Sequence, residues 1–143
     1  MYFHQPDTSH IRQQLLDLQR GYPSVEGLML VSSGGIVLAS TFQKPDNVSR
    51  LAAVTRTLFL LADEACTEMG RGQMQSVHLS YKRGMGGDDN APSQVTLVPV
   101  GGDIVLMMVL HAGHGTAMSP SPALHSDVQR LIQFIAHQIA HNA

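Results

Sequence analysis

Charge is what this sequence has least of. Only 14% of its 143 residues are Asp, Glu, Lys or Arg, against a usual share of about a quarter, while 43% are hydrophobic. A small domain so poor in charge has little with which to cover its outside, and part of its apolar surface is expected to serve a partner. Nine basic residues against eleven acidic ones leave a net charge of −2, which excludes an electrostatic footprint for nucleic acid or anionic lipid. The single cysteine, Cys66, excludes an internal disulfide. In its apolar helical stretch it is expected to be a small buried hydrophobe, a usage that fits a reducing cytoplasm. The longest wholly apolar run, Ile104 to Leu110, falls far short of the ~20 residues of a membrane span. Met1 to His10, with His4, Pro6 and Asp7, has no apolar core of a signal peptide. The expectation is a soluble cytoplasmic chain of one domain over residues 1–143, with its core at about 8–140.

What is present is a regular succession of elements. A helix is expected from about Asp7 to Arg20, with Ile11, Leu15 and Leu18 on one face, Asp7, Thr8 or Ser9 as cap, and Gly21 and Pro23 to end it. Two apolar runs, Gly27 to Ser32 and Ile36 to Ser40, flank Ser33-Gly34-Gly35 and predict a tight hairpin. Leu28-Met29-Leu30-Val31 does not alternate, which predicts a strand covered on both faces. A long helix follows to Met69, capped by Asp46 or Asn47 and stopped by Gly70 and Gly72. Its apolar residues lie on two sides: Leu51, Leu58, Ala62 and Ala65 on one, Val48, Ala52, Phe59 and Cys66 on the other. Such a stripe is wider than one sheet covers. It fits a helix sunk deep in its own core, or one that gives a face to the sheet and a face to a partner, and the second is favoured.

The third strand, Gln75 to Lys82, alternates: Val77, Leu79 and Tyr81 point one way, Ser76, His78 and Ser80 the other. Arg83 to Ser93, rich in glycine and aspartate, is expected to be a flexible exposed loop. The fourth strand runs from Gln94 to Val100, Gly101-Gly102-Asp103 turns the chain, and the unbroken apolar fifth strand, Ile104 to Leu110, is expected at the centre of the sheet. Ala112 to Pro122 is a connection, and a last helix from about Ala123 to Ala140 carries Leu124, Val128, Leu131, Ile132, Ile135 and Ile139 on one face. The order is helix, two strands, helix, three strands, helix, in an α/β (α+β) domain, unlike a nucleotide-binding sheet in which strands and helices alternate singly.

Motifs for catalysis fail one by one. Among eight histidines, His111 and His114 stand three apart and His137 and His141 four apart, spacings that can share a metal, but no cysteine or carboxylate joins them, and no metal is expected. Gly84-Met85-Gly86-Gly87 opens no helix and has no Lys-Ser/Thr of a P-loop. No G-x-S-x-G elbow occurs, so no catalytic residue and no cofactor are expected. The positive feature is different. A strand with one polar face followed by a glycine-rich loop suits a sheet edge, whose backbone groups are free to pair. Two copies joined third strand to third strand, with the long helices packed across a two-fold axis, satisfy both the edge and the over-wide helix.

These residues also resemble a known family, the Roadblock (dynein light chain) domain. The resemblance is carried by Leu15-Leu16-x-Leu18 before Tyr22-Pro23-Ser24-Val25-Glu26-Gly27, by Leu30-Val31-Ser32-Ser33-Gly34-Gly35-Ile36-Val37-Leu38-Ala39-Ser40, by Arg50-Leu51-Ala52-Ala53, and by Leu97-Val98-Pro99-Val100-Gly101-Gly102-Asp103. It implies a profilin-like five-stranded antiparallel sheet, with the long helix on one face and the terminal helices on the other. It implies a homodimer through the third strand and second helix, placing Gln75, Val77, Leu79 and Tyr81 with Leu51, Thr55, Leu58, Phe59, Ala62 and Cys66 at the interface. It further implies binding to a Ras-like small GTPase, since bacterial relatives in gliding and polarity systems act as GTPase-activating partners and others as scaffolds. The loops 83–93 and 112–122 are longer than the family's.

The expected function is therefore a homodimeric, non-enzymatic regulator or scaffold of a Ras-like GTPase, with acceleration of GTP hydrolysis left open. The alternatives are a self-assembling signalling module without a GTPase, or a small-molecule sensor. A sensor needs a cavity between sheet and helix, and core residues such as Leu58, Phe59, Met107 and Ile135 are expected to fill that space.

Overall fold

Glycines at the ends of apolar runs decide where the chain turns back. The computed structural model describes residues 8–32, 34–43, 45–70, 72–82, 92–101, 103–111 and 121–141. Its elements are α1 (Ser9–Gly21), β1 (Val25–Val31), β2 (Val37–Ser40), α2 (Pro45–Glu68), β3 (Val77–Lys82), β4 (Pro92–Gly101), β5 (Ile104–His111) and α3 (Pro122–His141). At the β1–β2 hairpin Gly35 adopts φ 75°, a conformation that a Cβ disfavours. There the Ser32 N–H donates to the Ile36 carbonyl at 2.9 Å, and the Gly35 N–H to that of Ser32 at 3.0 Å. Gly70, at φ 64°, stops α2 in the same left-handed region.

All neighbouring strands pair antiparallel in the order β2-β1-β5-β4-β3. As expected, β5 is central and β1 is covered on both faces. Leu28, Leu30, Leu106, Met108 and Leu110 meet Ile11 and Leu15 of α1 and Leu124, Val128 and Ile135 of α3 on one side. Met29, Val31, Val105 and Met107 meet Val48 and Ala52 of α2 on the other. An unbroken apolar run is what a strand between two helical layers requires. The layering is the profilin-like one that the resemblance implies.

Several local details differ from expectation. Thr8 sits at the N-cap of α1, but its side chain makes no capping bond; its carbonyl accepts the first helical bond, from the Arg12 N–H at 2.8 Å. Asp7 lies outside the described residues. Asp46 and Asn47 are not caps, because α2 already begins at Pro45, where the missing N–H of proline costs nothing and its fixed φ suits the first turn. β1 starts at Val25, ahead of Gly27, by pairing Val25 with Leu110 across a register shift. β3 starts at Val77 rather than Gln75, since pairing with β4 stops at Val77–Leu97, two residues short of Pro99, which has no N–H to offer. β4 takes in Pro92 and Ser93 from the expected loop. The rest of that loop and most of 112–122 lie outside the described residues.

Two packing details yield predictions. The bare backbone of Gly27 lies against the ring of Phe42, and a Cβ added there would come within 2.4 Å of it. Gly27→Ala is therefore expected to destabilise the fold by roughly 1–3 kcal/mol through overpacking, read as a lower urea midpoint at unchanged slope. At the end of α1 the Tyr22 hydroxyl donates a hydrogen bond to the Asp127 carboxylate of α3. That bond, then burial, then the negative charge of Asp127 hold the tyrosine proton above its ordinary value of 10.0, with Arg130 opposing. A raised value means the folded state retains the proton more tightly, so this contribution is present below pH 10.0 and lost as pH climbs through the raised value. The stability difference between the wild type and Tyr22→Phe is expected to hold steady below pH 10.0 and shrink above it in denaturant titrations.

The two edges of the sheet are unequal. β2 has four residues, and the Ser40 carbonyl accepts a bond from the Arg12 guanidinium Nε of α1 at 3.2 Å. β3 has six residues and, among the described residues, pairs only with β4.

Candidate functional site

α2 is longer than the layer beneath it. Its 24 residues span about 36 Å, whereas a seven-residue strand such as β1 spans about 23 Å. The helix packs mainly on β1, β2 and β5. Its buried residues, Val48, Ala52 and Thr55, all fall in its first half, and from Leu58 to Met69 no side chain is buried.

The uncovered part of the helix is apolar and ordered. Leu51, Val54, Leu58, Leu61 and Ala65 recur at alternate spacings of three and four, which places them along one face. Val54 is 54% exposed and Leu61 58%. On the same side of the sheet, Val77 packs into the α2 layer; the strand alternation therefore sends Leu79 and Tyr81 that way too, and they are 39% and 42% exposed. An apolar helix face and the apolar side of an edge strand thus lie open on one side of one molecule.

The residues expected at the interface separate into groups. Gln75, Leu79 and Tyr81 are exposed, and Leu51, Leu58, Phe59, Ala62, Cys66 and Val77 are half-buried. Thr55 stands apart: it is 2% exposed, and its hydroxyl donates to the Met107 sulfur at 3.4 Å, so it faces the protomer's own sheet. Cys66 is not the sealed core residue expected, because it sits on the half of α2 that runs past the core. Val54 and Leu61 were absent from the expected set. Their signal was the three-and-four spacing, hidden because the same helix carries a second apolar face.

The other face of β3 is polar. The Gln94 amide nitrogen donates to His78 Nδ1 at 2.8 Å, Thr96 Oγ1 is 3.1 Å from the same atom, and Ser76 Oγ is 2.9 Å from His78 Nε2. Beside this cluster a groove of about 310 Å³ opens between β3, β4 and α3. Met107 and Ile135 are buried and Leu58 and Phe59 pack on the core, as expected; the groove lies beyond them at the sheet margin, where α3 packs mainly on β4 and α1. Of the expected histidine pairs, His111 lies 3.7 Å from a Glu26 oxygen, while His114 lies outside the described residues. Among the described residues no group of three or more His, Cys, Asp or Glu is placed to hold a metal, and no helix is long and apolar enough to cross a membrane.

This chain belongs to the Roadblock/LC7 domain family, whose model matches residues 11–87, just over half of its length. Among solved structures, the Roadblock/LC7 domain of Streptomyces avermitilis superposes with a TM-score of 0.74 at 15% identity, covering 90% of this chain and 97% of that one. MglB of Myxococcus xanthus gives 0.73 at 12% identity, covering 100% and 96%. The gliding protein MglB of Thermus thermophilus gives 0.69 at 16%, with the same coverage. At these identities the likeness is one of fold. By sequence, no curated protein matches the chain.

Proposed function

We propose that this chain acts in the cytoplasm as a homodimer, one domain per copy, that binds a Ras-like small GTPase as a regulator or scaffold and has no active site of its own. The observation that carries the dimer is the combination of a strand edge unpaired among the described residues with an open apolar strip: β3 with Leu79 and Tyr81, and the α2 face with Val54, Leu58 and Leu61. Exposed apolar surface of this extent beside free backbone donors and acceptors favours a second copy applied edge to edge. In that arrangement Leu51, Phe59, Ala62 and Cys66 flank the contact, Gln75 and Val77 lie along the paired strands, and Thr55 supports the helix from below. The GTPase half of the reading rests on kinship. Membership of the Roadblock/LC7 family and a fold like that of MglB support it, because bacterial relatives in gliding and polarity systems act on such GTPases.

Sedimentation at micromolar concentration is expected to give twice the chain mass, and a clean monomer would overturn the dimer. A Ras-like GTPase from the same genome is expected to bind in one nucleotide state better than the other. If neither the GDP-loaded nor the GTP-loaded form binds while the mass stays dimeric, the protein is a self-assembling module and the GTPase reading falls.

A further inference from the structure

Two buried polar atoms without hydrogen-bond partners belong to paired residues at one end of the sheet, and neither the dimer nor a GTPase partner accounts for them. Ser93 is 0% exposed and its Oγ has no hydrogen bond; the Nδ1 of His111 is buried and has none either. We propose that this end of the sheet binds a zinc-type divalent cation, held by His111 Nδ1, a Glu26 carboxylate oxygen and Ser93 Oγ, with water completing the shell.

The strands bring these donors together. Ser93 of β4 pairs in register with His111 of β5. Alternation from Val95 and Leu97, and from Met107 and Val109, turns both side chains to the α2 side of the sheet. Side chains directly opposite on one face have Cβ atoms about 5 Å apart. Glu26 of β1 arrives on the other flank of β5, at the register shift between Val25 and Gly27. One of its oxygens stands 3.7 Å from His111 Nδ1. Both backbones are pinned: the His111 N–H donates to the Ser24 carbonyl at 2.7 Å, and Gln19 Nε2 donates to the Glu26 carbonyl at 3.0 Å. Spacing along the chain pairs His111 with His114 and passes over Glu26, which only the fold puts beside it.

The separation of 3.7 Å favours a cation over a hydrogen bond. An N–H···O bond closes to about 2.7–3.2 Å, so a proton on Nδ1 falls short of its acceptor. With the proton on Nε2, a bare lone pair faces a carboxylate, which is repulsive. A tetrahedral zinc ion with bonds of about 2.1 Å holds its ligand atoms roughly 3.4 Å apart, close to the separation observed. The same ion gives Ser93 Oγ the partner it lacks, and buried polar groups left unmet are rare in native folds.

The donor set names the class of metal. Mg2+ and Ca2+ take oxygen ligands, and Cu+ favours thiolate or thioether. One imidazole with a carboxylate and a hydroxyl suits zinc and its neighbours. Two strong donors and one weak one make a site that keeps water on the ion. The His111 and Glu26 side chains are 29% and 28% exposed, which leaves a way in for both.

Calorimetric titration of the intact, metal-free protein with Zn2+ is expected to show a saturable site of one ion per chain. Zn2+ is expected to raise the thermal midpoint while Mg2+ leaves it in place. Glu26→Gln, which keeps the size of the side chain, and His111→Ala are each expected to weaken Zn2+ at least about tenfold. His125→Ala, at an exposed histidine elsewhere, is expected to bind as the wild type does. Should His111→Ala fail to fold, Glu26→Gln decides alone. Leu61→Glu, far from these donors on α2, is expected to keep the site, so its failure and failure of the dimer are distinguishable. Absence of a saturable site, equal stabilisation by Mg2+, or Zn2+ affinity undiminished by Glu26→Gln overturns the proposal.

Discussion

Leu61→Glu is expected to yield a folded monomer. Leu61 is 58% exposed in the protomer, so a carboxylate there stays in water and asks nothing of the core; the thermal midpoint should move little, as for other surface substitutions. Across a two-fold contact the same change counts twice, once from each copy. It places two carboxylates in an apolar seam built from Val54, Leu58 and their counterparts. Burying such groups without counter-charge is unfavourable by several kcal/mol, so the dimer is expected to weaken by at least about a hundredfold, or ~2.7 kcal/mol. Sedimentation across a concentration series reads the shift directly. A variant that remains dimeric at micromolar concentration would remove α2 from the interface.

Thr55→Glu, six positions earlier on the same helix, is expected to do the opposite. Thr55 is 2% exposed and sits over Met107 of the central strand, so the new carboxylate has no route to solvent. The loss should reach roughly 4 kcal/mol or more, a large part of the 5–15 kcal/mol that typically holds a domain together. The expected outcome is a protein that melts early or expresses as aggregate. Thr55→Val should be close to neutral, because a hydroxyl-to-thioether bond is weak and the isosteric methyl fills the same space. If Thr55→Glu gave a well-folded monomer instead, α2 would be rotated relative to the sheet from the orientation that buries Thr55.

These two residues also mark where the sequence was legible and where it was not. The centre of the sheet could be read because seven consecutive apolar residues, Ile104 to Leu110, have no way to satisfy an exposed face. The edge could be read because β3 alternates, which marks a face open to solvent, and a glycine-rich stretch follows it, which suits a sheet margin. The rotation of α2 could not. Two apolar faces on one helix leave its angular position undetermined by about the width of one face, and a threonine looks like surface while a valine looks like core. Only the layer beneath decides that Thr55 points in and Val54 out. Helix starts were illegible for a related reason: Thr8, Asp46 and Asn47 are all able to cap, yet the Thr8 side chain makes no capping bond and α2 already starts at Pro45. The family model ends at residue 87, whereas the fold likeness to MglB of Myxococcus xanthus spans the whole chain, so β4, β5 and α3 share the architecture too.

The inequality of the two sheet margins bears on how association ends. A plate with two receptive rims can add copies without limit, and the product is a fibre. Here one rim is four residues long, with a carbonyl already engaged by Arg12, while the other is longer and, among the described residues, unoccupied. Addition at the receptive rim consumes it in both participants at once and leaves only the blunted rims facing outward. In the proposed dimer, growth by strand addition would be self-terminating at two, with the short β2 as the stop.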